Sequence, residues 1–140
     1  MDDITLMREI SRLQNQIDAL RTIEVGGVWT EWTPTIVGWS ATTTFICQYS
    51  KIGKFVAVMY QIIGTSDTTT MYLDLPFTAD TSPAIGVFAY GVDNGTAMSN
   101  AAFVVTDTAD RVRVYKNPDG TGWTASGSKR IITQFFYKAA

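Results

Sequence analysis

The sequence contains no histidine and a single cysteine, Cys47. The first absence removes the commonest general base and the commonest metal ligand together. The second leaves no partner for an intrachain disulfide. Charge is also scarce: Asp, Glu, Lys and Arg make up 17% of the chain, against roughly a quarter in ordinary globular proteins. That charge sums to −2, the pI is about 4.9, and no Lys or Arg cluster of the kind nucleic acid requires is present. No apolar run is long enough to span a membrane. The opening Met1-Asp2-Asp3 is acidic where a signal peptide is basic. Neither nucleic-acid binding nor membrane insertion is therefore expected, and synthesis in a cytoplasm is.

What fills the gap is Thr, Ser, Gly and aromatic side chains. Apolar residues reach 46% and aromatics 12% of 140 residues, enough for a packed core. β-branched and aromatic residues suit a pleated, half-buried surface, so a mainly β protein is expected. The exception is the N-terminus. Leu6, Ile10, Leu13, Ile17 and Leu20 recur at 4-3-4-3 spacing, which places Ile10 and Ile17 at a and the leucines at d of a heptad repeat. Acidic Asp2 and Asp3 suit a helix start, and Gly26-Gly27 are a stop. So narrow a seam predicts self-association in a coiled coil rather than packing on the chain's own domain. Three heptads are marginal alone, and Ile at a with Leu at d by itself favours two strands. The division expected is a helical stalk or anchor over 1–25 and a β domain over 28–140.

Within the β domain, turn signals every eight to twelve residues or so predict about eight antiparallel strands. They fall at 35–37, 42–49, 54–63, 69–75, 84–92, 101–106, 111–115 and 128–137, as in a jelly-roll-like sandwich. Asp93-Asn94-Gly95 and Asn117-Pro118-Asp119-Gly120 mark turns. The strand at 54–63 is apolar on both faces: Phe55, Ala57 and Met59 on one, Val56, Val58, Tyr60 and Ile62 on the other. A strand of an isolated sandwich should be polar outside. One face is therefore expected to meet a neighbouring subunit, and Val56, Val58, Tyr60 and Ile62 are assigned to that contact. Arg111, Arg113 and Tyr115 alternate onto one face of their strand.

No catalytic constellation emerges. Ser-His-Asp and Cys-His arrangements need histidine. Cys47 sits mid-strand, where a thiol behaves as a small hydrophobe. Most aspartates fall in turns, where they serve turn geometry. Asp93, Asp107 and Asp110 are conceivable calcium ligands, but no spaced ligand loop accompanies them. Ligand binding is more open. Trp39, Tyr90, Asp93 and Trp123 fall in or beside expected loops and are candidate saccharide contacts. The alternative is that these rings pack the ends of the sandwich.

Four segments carry a resemblance: Trp32-Thr33-Pro34-Thr35, Tyr49-Ser50-Lys51-Ile52-Gly53-Lys54-Phe55-Val56, Leu75-Pro76-Phe77-Thr78-Ala79, and Phe136-Tyr137-Lys138-Ala139. In this order they resemble the small β-sandwich domains of tailed-bacteriophage virion surface proteins, over about 29–139. The resemblance implies a homotrimer without cofactor, carried on the virion; that the chain is no enzyme is expected from the missing histidine and the lone strand cysteine. The resemblance also implies a helix that meets other virion proteins and a β head that meets a host-surface glycan. A capsid decoration protein or head fibre bracing the shell, and a stand-alone carbohydrate-binding module, are the alternatives. The matching motifs are framework turns, so no receptor-site residue carries over.

Overall fold

The computed structural model describes residues 1–24, 27–82, 84–98 and 101–140, with side chains of 20–24 left aside. The only helix among them is α1 (Asp3–Glu24). Asp2 caps it: its Oδ1 accepts a hydrogen bond from the Thr5 amide at 2.7 Å, satisfying one donor that a helix start leaves open. Hydrogen bonding by the Thr5 side chain, and then by its amide, holds the Asp2 carboxyl below its ordinary range. Glu9 and Arg12 pair along one side at 2.9 Å. The expected stop at Gly26-Gly27 and the side chain of Leu20 lie, in part or whole, outside the described residues. The remaining seam positions Leu6, Ile10, Leu13 and Ile17 are each about half exposed.

Ten strands follow: β1 (Thr30–Glu31), β2 (Ile36–Val37), β3 (Trp39–Ile52), β4 (Phe55–Ser66), β5 (Met71–Asp74), β6 (Gly86–Asp93), β7 (Thr96–Ala97), β8 (Ala102–Thr108), β9 (Arg111–Tyr115) and β10 (Ser128–Lys138). The chain is thus mainly β, as composition predicts. All eight expected strands are present. The two additional ones, β1 and β7, are two-residue pairings, too short to leave a periodic signal. The architecture is one curled antiparallel sheet in the order β1-β3-β4-β10-β6-β8-β9-β5-β2, with β7 beside β6.

The curl turns at β6. Its residues Tyr90–Asp93 pair with β10, and Gly86–Ala89 pair with β8. The run from Thr30 to Val37 meets both ends of the sheet, β1 pairing with β3 and β2 with β5. Two tight turns rest on left-handed backbone. Asn94 and Gly95 have φ of 52° and 76°, the requirement of a type I′ hairpin. Gly53, at φ 57°, closes the β3–β4 hairpin between Ile52 and Phe55.

The β3–β4 register shifts between Trp39 and Ala41 and again between Thr42 and Thr44. These bulges drive the Ala41 carbonyl toward Gly64, where a Cβ would collide with Ala41 O and meet Thr42 Cα at 2.9 Å. Gly64→Ala is therefore expected to cost about 1–3 kcal/mol, as overpacking does, read as a lower denaturation midpoint with unchanged m-value.

The core lies inside the curl. β4 contributes Val56, Val58, Tyr60 and Ile62, all fully buried, facing Met71 and Leu73 of β5 and Val112 and Val114 of β9. The Tyr60 hydroxyl donates to Asp74 O at 2.7 Å, and burial pushes its pKa well above the ordinary value. This corrects the assignment of Val56, Val58, Tyr60 and Ile62 to a subunit contact. They are the core face, because the sheet closes over that side of β4. Cys47 is also buried, and desolvation raises its thiol to about 12, which disfavours the thiolate.

Candidate functional site

The alternation that buries Val56 to Ile62 turns Phe55, Ala57 and Met59 outward. In register beside them on β10 are Lys138, Phe136 and Gln134. Ile52 and Ile46 extend the same face on β3, opposite Phe55 and Gln61. Tyr90 extends it on β6, opposite Ile132. Phe136 is 70% exposed, Phe88 67% and Phe55 50%. Phe55 and Phe136 stack with ring centres 5.3 Å apart. Next to them, where β6 leaves β10 for β8, is a groove of about 870 Å³ lined by Phe55, Ala57, Ile85, Val87 and Phe136, with Lys54 and Lys138 also on its wall. Soluble monomers rarely expose so broad an aromatic surface without using it.

The four residues proposed as ligand contacts do not form one site. Trp123 is 2% exposed, so the platform role is corrected to a core anchor. Its indole N–H donates to Val114 O at 2.8 Å, and its backbone amide donates to Thr69 O at 3.0 Å. The loop carrying it folds inward because Gly91 leaves room: a Cβ there would lie 3.1 Å from the ring. Trp39 is half-buried against the core, its indole nitrogen enclosed with no acceptor among the described residues. It is not a free platform either. Tyr90 alone is well exposed, and it belongs to the outer aromatic face.

Asp93 is also corrected, from ligand contact to internal ion-pair centre. It points inward from the last position of β6, directly opposite Lys129 of β10. Lys129 Nζ lies 2.9 Å from Asp93 Oδ1 and Lys116 Nζ 2.7 Å from Oδ2. The Thr124 hydroxyl donates to Oδ2 at 2.9 Å, and Lys129 also donates to Ser126 O at 2.6 Å. Burial alone would raise the Asp93 pKa. Hydrogen bonds from Lys116, Lys129 and Thr124 outweigh it and hold the carboxyl at about 2. Asp93 and Lys129 bond Thr124 and Ser126, so the cluster pins the loop at 124–127 to the sheet.

The sequence pattern contained a signal for this cluster. Asp93 follows Ala89 and Gly91 at inward parity, and Lys129 precedes Ile131, Thr133, Phe135 and Tyr137 at inward parity. Two opposite charges at core positions imply a partner for each.

Among the described residues, no three His, Cys, Asp or Glu side chains gather as metal ligands, and no helix is long and apolar enough to cross a membrane. The conceivable calcium ligands are separately engaged: Asp107 pairs with Arg111 at 2.6 Å, Asp110 accepts from the Thr78 hydroxyl at 2.9 Å, and Asp93 lies in the lysine cluster. No family model matches the chain, and no curated protein matches it.

Proposed function

We propose that this chain is a non-enzymatic virion surface protein of a tailed phage. In this reading it is a homotrimer whose jelly-roll-like β head is held on a helical stalk and engages a saccharide on the host surface. The stalk joins it to other virion proteins. The observation that carries the assembly is the outer face of β3, β4, β10 and β6, where Phe55, Phe88, Tyr90, Ile132 and Phe136 stand exposed together. The a/d seam of α1 supports it, being half exposed from Leu6 to Ile17, with no strand among the described residues packed over it. Burying two such surfaces between copies of one chain satisfies both, and closed symmetric homo-oligomers are the usual outcome.

Light scattering on the full-length protein tests the assembly. A mass near three chains is expected, falling toward one chain in a variant combining Leu13→Lys with Phe136→Glu. Both substitutions place charge on exposed positions, so the fold should survive, as circular dichroism would show. A wild-type monomer at micromolar concentration overturns the trimer.

A further inference from the structure

On the other side of the curl, the outer face of β2, β5, β9 and β8 carries a different chemistry. One row across it is in register: Val37, Tyr72, Arg113 and Val105. The row beneath places Tyr115 opposite Phe103. Arg113 is the one cation of these two rows, an otherwise apolar and aromatic strip; the next row of the same face holds Arg111 opposite Asp74. Its guanidinium lies 4.6 Å from the Tyr115 ring centre and 5.8 Å from that of Tyr72. Arg111 covers Tyr72 at 4.1 Å and is itself tied to Asp107 at 2.6 Å.

The two arginines differ in what they have left to offer. Arg111 has its carboxylate. Arg113 makes no ion pair or hydrogen bond among the described residues, and neither do the hydroxyls of Tyr72 and Tyr115. Ring contact fixes the plane of a guanidinium while leaving its in-plane donors unused, and that planar fork matches an oxyanion. Two phenol hydroxyls beside it add further donors or acceptors. Val37, 44% exposed, borders the strip and offers C–H surface.

We infer that Arg113, with Tyr72 and Tyr115, forms a binding site for a saccharide bearing an oxyanion substituent, a carboxylate or a phosphate. A sugar acid has both an apolar C–H face for the strip and one charged group for the one uncommitted cation. A polyanion would need several free cations and would meet a chain of net charge −2. An acidic peptide would likewise present more charge than the strip can pair. The inference rests on the saccharide-binding part of the reading above. The two are separable: sugar binding that is equal for acid and ester, or unaltered in Arg113→Gln, overturns this site and leaves saccharide binding standing.

The test is calorimetric titration of the full-length protein with trigalacturonate, its methyl ester, mannose 6-phosphate, triglutamate and inorganic phosphate. Binding of trigalacturonate or mannose 6-phosphate is expected, and which of them binds identifies the anion. The methyl ester should bind at least tenfold more weakly than the acid. Arg113→Gln should weaken binding of the preferred anion at least tenfold, and Arg113→Lys by a smaller factor, because the charge stays but the fork is lost. The midpoint of thermal unfolding should stay within a few degrees in both variants. Equal binding of acid and ester, no binding of either anionic sugar, equal binding of inorganic phosphate, preference for triglutamate, or unaltered binding in Arg113→Gln each overturns the site.

Discussion

Trp123→Ala is expected to destabilise the protein by about 3–5 kcal/mol, the range for truncating a large buried aromatic. The ring is almost wholly enclosed, beside Gly91, and its N–H closes the Val114 carbonyl of β9. Removing it opens a cavity and leaves that carbonyl without its partner. Trp123→Phe narrows the difference: most of the ring volume remains while the hydrogen bond is lost, for about 1–3 kcal/mol. Denaturant unfolding followed by far-ultraviolet circular dichroism measures both. A cost below about 1 kcal/mol for the alanine variant, well short of the cavity range, would return Trp123 to the surface and restore its candidacy as a ligand platform.

Asp93→Ala is expected to be comparably damaging, about 3–5 kcal/mol, through a different mechanism. Lys129 has no exposed side-chain surface, so deleting its counter-ion strands a buried ammonium. Lys116, about one-third exposed, can turn toward water and should contribute little. A double substitution, Asp93→Leu with Lys129→Met, should recover most of the loss, because the buried charge is removed together with its partner. If the double variant is as unstable as Asp93→Ala, the cost lies in packing rather than in the unpaired charge.

The same cluster sets an acid limit. The Asp93 pKa is depressed from its ordinary 3.8 to about 2, so its stabilisation is fully present above pH 3.8 and is lost as pH falls through about 2. The shift corresponds to about 2 kcal/mol. Unfolding free energy measured from pH 5 to 1.5 should therefore fall less steeply in the Leu/Met double variant than in the wild type.

Much of the fold was legible because strand signals are local. Gly53 and Asn94-Gly95 announce hairpins through the backbone conformations they permit, and the alternation in β9 and β10 reads directly as two faces. The short β1 and β7 were not legible, since two residues cannot show a period. The candidate sites were less legible. The tryptophan at 123 sits among Gly, Thr and Ser and reads as a loop residue, yet a glycine far away in sequence opens the space that takes it in. The pairing of Asp93 with Lys129 depends on β6 and β10 becoming neighbours, which neither segment's own residues dictate.

From the sequence by itself follow the loss of every histidine-dependent chemistry, the a/d seam of the first helix, the mainly β character of the rest, and a strand apolar on both sides. These depend on residue inventory and on spacings within one element. The tertiary structure alone decided which side of that strand is the interior. Period-two alternation separates Val56, Val58, Tyr60 and Ile62 from Phe55, Ala57 and Met59, but it carries no information on the direction in which the sheet curls. That direction is set by β6 crossing from β10 to β8 and by the segment around Pro34 meeting both edges. It places the tyrosine at 60 in the core and the phenylalanines at 55 and 136 on the surface, available to a partner.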